Sequence, residues 1–189
     1  NFYIKKQFLQ KELGEILKQG EKFGKMNIGK GAKANIEFIS ANPTDSLHIG
    51  NGRGAFFGDV LAKLLSFSGF KVEREYYVND SKNSLQIQEL GKTALGKGKT
   101  YLTPELKGKI KKLEKKLKKT QSESDAGYLL AQEVLKDIKN LTEKKLKIKF
   151  DKWFSEQRNL IAKKDTDKTL KYLESKKLTY KKDGAWWLR

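Results

Sequence analysis

Between Phe2 and Leu17 the apolar residues Ile4, Phe8, Leu9, Leu13, Ile16 and Leu17 recur every three or four positions, which predicts an amphipathic helix. Gly20 to Ala34 is rich in glycine and lysine and reads as a connector. Asn35 to Ser40 alternates and is built from branched and aromatic residues, so it predicts a strand. A loop with Pro43 follows, from Ala41 to Leu47. Helical periodicity then returns from Gly50 to Ser68 through Ala55, Phe56, Val60, Leu61, Leu64 and Leu65, and Gly69 stops it. Phe70 to Val78 predicts a second strand, closed by Asn79 and Asp80. Strand, helix and strand at this spacing make a βαβ unit, hence a parallel α/β sheet.

The pattern changes downstream. Ser84 to Leu95 predicts a short helix. Thr103 is a suitable N-cap with Pro104 at the first helical position, opening a lysine-rich helix to about Lys118. A further helix is expected from about Asp125 to Lys147, with Tyr128, Leu129, Ala131, Leu135, Ile138 and Leu141 toward a core. Asp167 to Lys176 is helical. Leu178 to Tyr180, an Asp183-Gly184 turn and Ala185 to Leu188 predict a hairpin. With two strands found, the sheet reads as incomplete and the chain as cut at both ends.

Composition narrows the chemistry. The 189 residues include no cysteine and a single histidine, His48, so disulfides, thiolate metal sites and multi-histidine metal sites are excluded. No apolar run reaches the roughly 18 residues of a membrane span, so no membrane partner is expected and a cytoplasmic protein is the default. The net charge is +18. Apart from Arg53, Arg74, Arg158 and Arg189 the cations are lysines, which suit either a polyanionic partner such as RNA or a solvated helix surface.

The stretch from Ile36 to Asp59 carries the candidate chemistry. The first strand delivers Glu37, the following loop delivers Asn42, and His48-Ile49-Gly50-Asn51 opens the helix. A helix N-terminus offers N–H groups and the positive end of a dipole to phosphate. Gly50, Gly52 and Gly54 allow close approach to the backbone, and His48 adds a donor whose charge is adjustable near neutral pH. Glu37 suits a cationic substrate group, though alternation alone also fits a polar residue on a half-exposed strand. Trp153, Trp186 and Trp187 read as packing residues, and Asp80 as a turn residue.

The segment from Ile36 to Asp59, IEFISANPTDSLHIGNGRGAFFGD, resembles the HIGH-motif region of arginyl-tRNA synthetases. REYYVND with Gln86 and Ile87, then FDKWFSE and DGAWWLR, resemble later parts of the same catalytic domain, and NFYIKKQFLQKEL resembles the exit from that family's N-terminal domain. The resemblance implies an incomplete Rossmann-like parallel sheet, the HIGH-motif half, with a largely helical insertion. Residues 1–34 would close the N-terminal tRNA-contacting domain and its connector. Residues 35–95 would form the first half of the catalytic domain, 96–177 the helical insertion, and 178–189 a hairpin at the return to the catalytic domain.

The activity implied is ATP-dependent conversion of L-arginine to arginyl-adenylate and its transfer to the terminal adenosine of tRNA(Arg), by a cytoplasmic monomer using Mg2+ with ATP. Glu37 and Asn42 would bind arginine, while Asn42, His48, Gly50 and Asn51 would line the ATP site. His48 and Asn51 would be catalytic. The motif as a whole would run through Ala41, Asn42, Pro43, Thr44, Asp45, Ser46, Leu47, His48, Ile49, Gly50 and Asn51. Asn51 stands where the family has a second histidine, and neither a KMSK loop nor an anticodon-binding domain has a counterpart, so the fragment is expected to be inactive alone.

Two other readings stay open. Gly50 to Gly54 resembles a dinucleotide fingerprint, with Glu73 or Glu75 as the ribose ligand, but a loop separates it from the strand. A non-catalytic RNA-binding module would use the lysine-rich helices between Pro104 and Lys149.

Overall fold

The computed structural model describes residues 2–189. Three parallel strands form its sheet in the order β1 (Lys33–Glu37), β2 (Lys71–Val78), β3 (Lys152–Ser155). The helix α2 (Ile49–Phe67) crosses from β1 to β2, so the predicted βαβ unit is present. β1 begins two residues earlier than the sequence pattern predicts and stops at Glu37. Ile39 and Ser40 take φ of +66° and +37°, a left-handed turn that ends strand pairing.

The sequence pattern contains no strand between 96 and 177, yet β3 lies there. Its four residues are too short for alternation to be read. It pairs with β2 from Glu75↔Lys152 to Val78↔Ser155. The backbone N–H of Arg74 also donates to the Asp151 carboxylate at 2.8 Å. Register and the two-residue period sort the side chains. Ile36, Arg74, Tyr76 and Trp153 share one face, where Arg74 meets Asp59 of α2 at 3.7 Å. Glu37, Glu75, Tyr77, Lys152 and Phe154 share the other.

The core lies under the first face. Phe38 rests on Gly58 of α2, where a Cβ would come within 2.3 Å of its ring. Tyr76 stacks on Trp153 at 4.4 Å, and Phe150 packs against Phe38 at 4.6 Å. Trp153 is therefore a packing residue, with its indole N–H donated to Glu143.

Helices α3 (Leu85–Ala94), α4 (Pro104–Leu117) and α5 (Glu123–Lys139) extend this core. The most deeply buried α5 positions include Leu130 and Val134, which the sequence pattern passes over, alongside Ala131, Leu135 and Ile138. α3 and α5 touch backbone to backbone at Gly91 and Gly127. A Cβ on either would stand 1.8 Å from a carbonyl oxygen of the other helix, Glu123 O or Ile87 O. The expected helix to Lys147 ends at Lys139 and gives way to wide π-type turns over Asn140–Lys145. Buried Thr142 donates to the Ile138 and Lys139 carbonyls, competing with the regular ladder.

Two outlying elements bury no side chain in this core. α1 (Lys6–Gln19) leaves Phe8, Leu9, Leu13 and Ile16 exposed. α6 (Asp165–Ser175) leads into the hairpin of β4 (Thr179–Lys182) and β5 (Ala185–Leu188). Lys182↔Ala185 pairing leaves a two-residue loop, Asp183-Gly184, with φ of +51° and +77°, the turn predicted for an aspartate–glycine pair. Trp186 and Trp187 on β5 are exposed.

Ala at Gly91 should destabilise the fold by about 2 kcal/mol or more, because two helix backbones must separate. Gly108, where a Cβ meets open space, should gain up to about 1 kcal/mol from the same change. Urea unfolding of the two variants measures both.

Glu133 of α5 is held by Lys112 of α4 and by Lys136, each at 2.7 Å, which brings its carboxyl down to about 2. A depressed folded-state value adds stability that is present above the ordinary carboxylate range and disappears as pH falls toward 2. Between pH 6 and 2.5 the Glu133→Gln protein should therefore lose less melting temperature than the parent.

Candidate active site at the sheet edge

Ligands of open parallel sheets bind beyond the carboxyl ends of the strands. At that edge the chain leaves β1 through the left-handed pair Ile39 and Ser40. β2 holds this turn in place. The Tyr76 phenol donates to Ala41 O at 3.1 Å, and the Tyr77 backbone N–H donates to Ser40 Oγ at 3.0 Å. Burial pushes the Tyr76 phenol far above its ordinary value, so it stays a neutral donor. Pro43 and Thr44 are buried behind the turn.

The loop then delivers a cleft of about 320 Å³ lined by Ser40, Ala41, Asn42, Thr44, Asp45, Ser46, His48 and Asn51. The structure thus brings Asn42, His48 and Asn51 into one cleft. Pro43, Leu47, Ile49 and Gly50 frame the loop without lining the cleft, and Ile49 points into solvent.

The end of α2 is less free than the sequence suggests. His48 is the N-cap, and its Nδ1 accepts the Gly50 N–H at 3.1 Å while Asn51 Oδ1 accepts the His48 N–H at 3.0 Å. The two side chains form a reciprocal capping box. Because Nδ1 is an acceptor, the ring proton of neutral His48 sits on Nε2, which is left to donate outward. Gly50 is required for this reason: a Cβ there would lie 2.9 Å from the His48 ring. At Gly52 and Gly54 a Cβ would meet nothing.

Glu37 does not line this cleft. It is exposed, on the sheet face turned away from α2, and the same face carries Tyr77; Glu156, the first residue past β3, turns into helical backbone and lies close enough to Tyr77 for its charge to be felt there. The Tyr77 phenol is pushed up by its own partial burial and then by the negative charge of Glu156, Glu37 and Asp80. Burial followed by the charge of Asp80 likewise raises the Glu156 carboxyl. A group of carboxylates around one tyrosine, in a chain of net charge +18, marks a locally anionic region at the sheet edge.

Sequence reasoning missed Glu156 because β3 was missed. No sequence signal marked it, because the four residues of β3 are too short for alternation to be read. Asp80 is a correction: it is not a turn residue but is fully buried. It accepts Ser155 Oγ–H at 2.8 Å, the Gln157 N–H at 3.0 Å and Gln132 Nε2–H at 3.1 Å. Among the described residues no group of histidine and carboxylate side chains could hold a metal ion.

The family model described as tRNA synthetases class I (R), catalytic domain, matches residues 12–188. The chain belongs to that family. Arginine–tRNA ligases of Carboxydothermus hydrogenoformans and Bacillus licheniformis are 35% and 36% identical to this class I synthetase chain over 99% and 100% of it. The chain spans 36% and 37% of their lengths. An arginyl-tRNA synthetase crystal structure from Campylobacter jejuni superposes with a TM-score of 0.73 at 30% identity, covering 98% of this chain and 43% of that one. The Thermus thermophilus arginyl-tRNA synthetase shares the fold, with a TM-score of 0.55 at 18% identity over 96% of this chain and 32% of that one. The Rossmann-like parallel sheet expected from the HIGH-type segment is therefore present in this synthetase family member. No helix is long and apolar enough to cross a membrane among the described residues.

If Asn51 acts through the capping box, Asn51→Ala should release one hydrogen bond, about 1 kcal/mol, and speed exchange of the His48 amide about fivefold. Asn51→Gln, which can still reach back to the His48 N–H, should restore the protection. Hydrogen–deuterium exchange over the peptide from Leu47 to Gly54 reads both; equal exchange in all three proteins would remove the cap from the account.

Proposed function

We propose that the protein containing this chain is an arginine–tRNA ligase, which activates L-arginine with ATP and transfers it to the 3′-terminal adenosine of tRNA(Arg). One observation supports the reading: at the carboxyl edge of the sheet the charges of Glu37, Glu156 and Asp80 converge on Tyr77, and at the same edge the loop after β1 brings Asn42 together with His48, the N-cap of α2. The carboxylates suit a cationic amino acid, and the N–H groups and dipole of the α2 end suit an anionic nucleotide.

In this reading the guanidinium lies against Glu37 and Glu156, whose carboxylates supply charge-assisted, planar pairing that an ammonium matches poorly. Asn42, in the loop after β1, contacts the amino acid portion. The substrate carboxylate attacks the α-phosphorus of ATP and pyrophosphate leaves. His48 Nε2–H and the α2 dipole stabilise the phosphate charge, an electrostatic contribution typically worth several kcal/mol per donor. A ribose hydroxyl of the tRNA end then attacks the activated carbonyl and AMP leaves. Mg2+ enters with the ATP phosphates. Asn51 has no charge to give the phosphate and works by holding the His48 backbone.

The raised Glu156 carboxyl fits a carboxylate kept without a cation until substrate arrives. In the full-length protein, Glu156→Gln and Glu37→Gln should each raise the arginine KM by about tenfold or more, with the ATP KM moving less than about threefold. Arginine-dependent ATP–pyrophosphate exchange with tRNA present measures this. Equal shifts in both constants would assign the two glutamates a structural part instead.

A further inference from the structure

α4 sorts its lysines by direction. Leu106, Ile110, Leu113 and Leu117 face the core. On the side toward α5, Lys109 bonds Asp137 and Lys112 bonds Glu133. Lys107, Lys111 and Lys115 stand four residues apart on the solvent side, and all three are exposed. Among the described residues none of them has a carboxylate within ion-pair distance. Glu114 lies close enough to feel the charge of Lys111 but is bonded to Lys118. Like charges at this spacing destabilise an isolated helix, so the row is set against the local preference of the helix.

The row also has a place relative to the candidate active site. Thr103 caps α4 by accepting the Leu106 N–H at 3.3 Å, and its hydroxyl lies 3.5 Å from Asp45 Oδ1 in the cleft wall. Lys107 is one turn beyond that contact. At 1.5 Å per residue the row then runs about 12 Å away from the cleft.

We propose that this face of α4 is a docking track for the phosphate backbone of the tRNA strand whose end enters the cleft, with Lys107, Lys111 and Lys115 as the contacts. The identity of the RNA rests on the function proposed above; the track itself rests on the charge pattern. The chemistry favours a nucleic acid over other anionic partners. The row contains no apolar side chain, whereas a helix lying on a membrane needs an apolar face and a protein partner needs a buried anchor. Lysines alone give contacts to phosphate that release counterions and read no sequence.

The test uses the full-length protein and a tRNA(Arg) transcript, with binding measured across a salt series. Lys107→Gln, Lys111→Gln and Lys115→Gln combined should weaken binding about tenfold and flatten the dependence of log K on log salt by about 2. Changing all three to Arg should leave both near the parent values, which also shows that the helix tolerates substitution. Removing the same charge from Lys163, Lys171 and Lys182, which are exposed elsewhere, should leave both within twofold. An unchanged slope in the Gln protein, an equal loss from the distant lysines, or loss in the Arg protein would each overturn the track. The assay needs no adenylate chemistry. A protein that fails to activate arginine yet binds RNA through α4 would defeat the proposed function and leave the track standing.

Discussion

A fully buried aspartate ties the sheet to its helices. Asp80 follows β2 and has no access to water, so its carboxylate is tolerable only with donors on every side. Those donors come from three places: the Ser155 hydroxyl at the end of β3, the Gln157 backbone just beyond it, and the Gln132 amide on α5. The carboxyl ends of β2 and β3 and the middle of α5 are therefore held in one hydrogen-bonded group. Glu156 sits inside that arrangement, between Ser155 and Gln157, and its position and its elevated carboxyl both follow from it.

β2 fixes the loop after β1 in the same way. Consecutive tyrosines on opposite faces of the strand hold the turn that leaves β1, Tyr76 by its side chain and Tyr77 by its backbone. Two successive left-handed residues, one of them β-branched, are unfavourable alone. They persist because Ile39 packs against the core while Ser40 and the following Ala41 are both bonded to β2. The loop carrying Asn42 and the cap of α2 thus has its geometry set by the central strand rather than by its own residues.

The electrostatics divide along the same lines. Lysine dominates the composition, but the structure spends part of it internally, joining α4 to α5 and flanking Glu133. Among the described residues Glu37 and Glu156 have no such neighbour; Lys152 bonds Glu75, lower on that face, at 2.6 Å. A basic chain with an acidic sheet edge can attract a polyanion at long range and still receive a small cation at short range.

The sequence by itself determined the elements whose signals are local. The βαβ unit, the stop at Gly69, the Thr103 cap with Pro104 and the Asp183-Gly184 hairpin need only nearby residues, because periodicity and turn chemistry act within a few positions. The cleft of Asn42, His48 and Asn51 was legible for the same reason, since one loop and one helix start contain it. Only the tertiary structure decided what depends on distant partners. β3 exists because β2 offers it a ladder, Glu156 joins Glu37 because three strands bring their ends together, and Asp80 is a buried hub because Gln132, 52 residues away, reaches it. The π-type turns at Thr142 and the contact of Gly91 with Gly127 are of the same kind. A hydroxyl or a missing Cβ has no visible consequence until packing decides what lies against it.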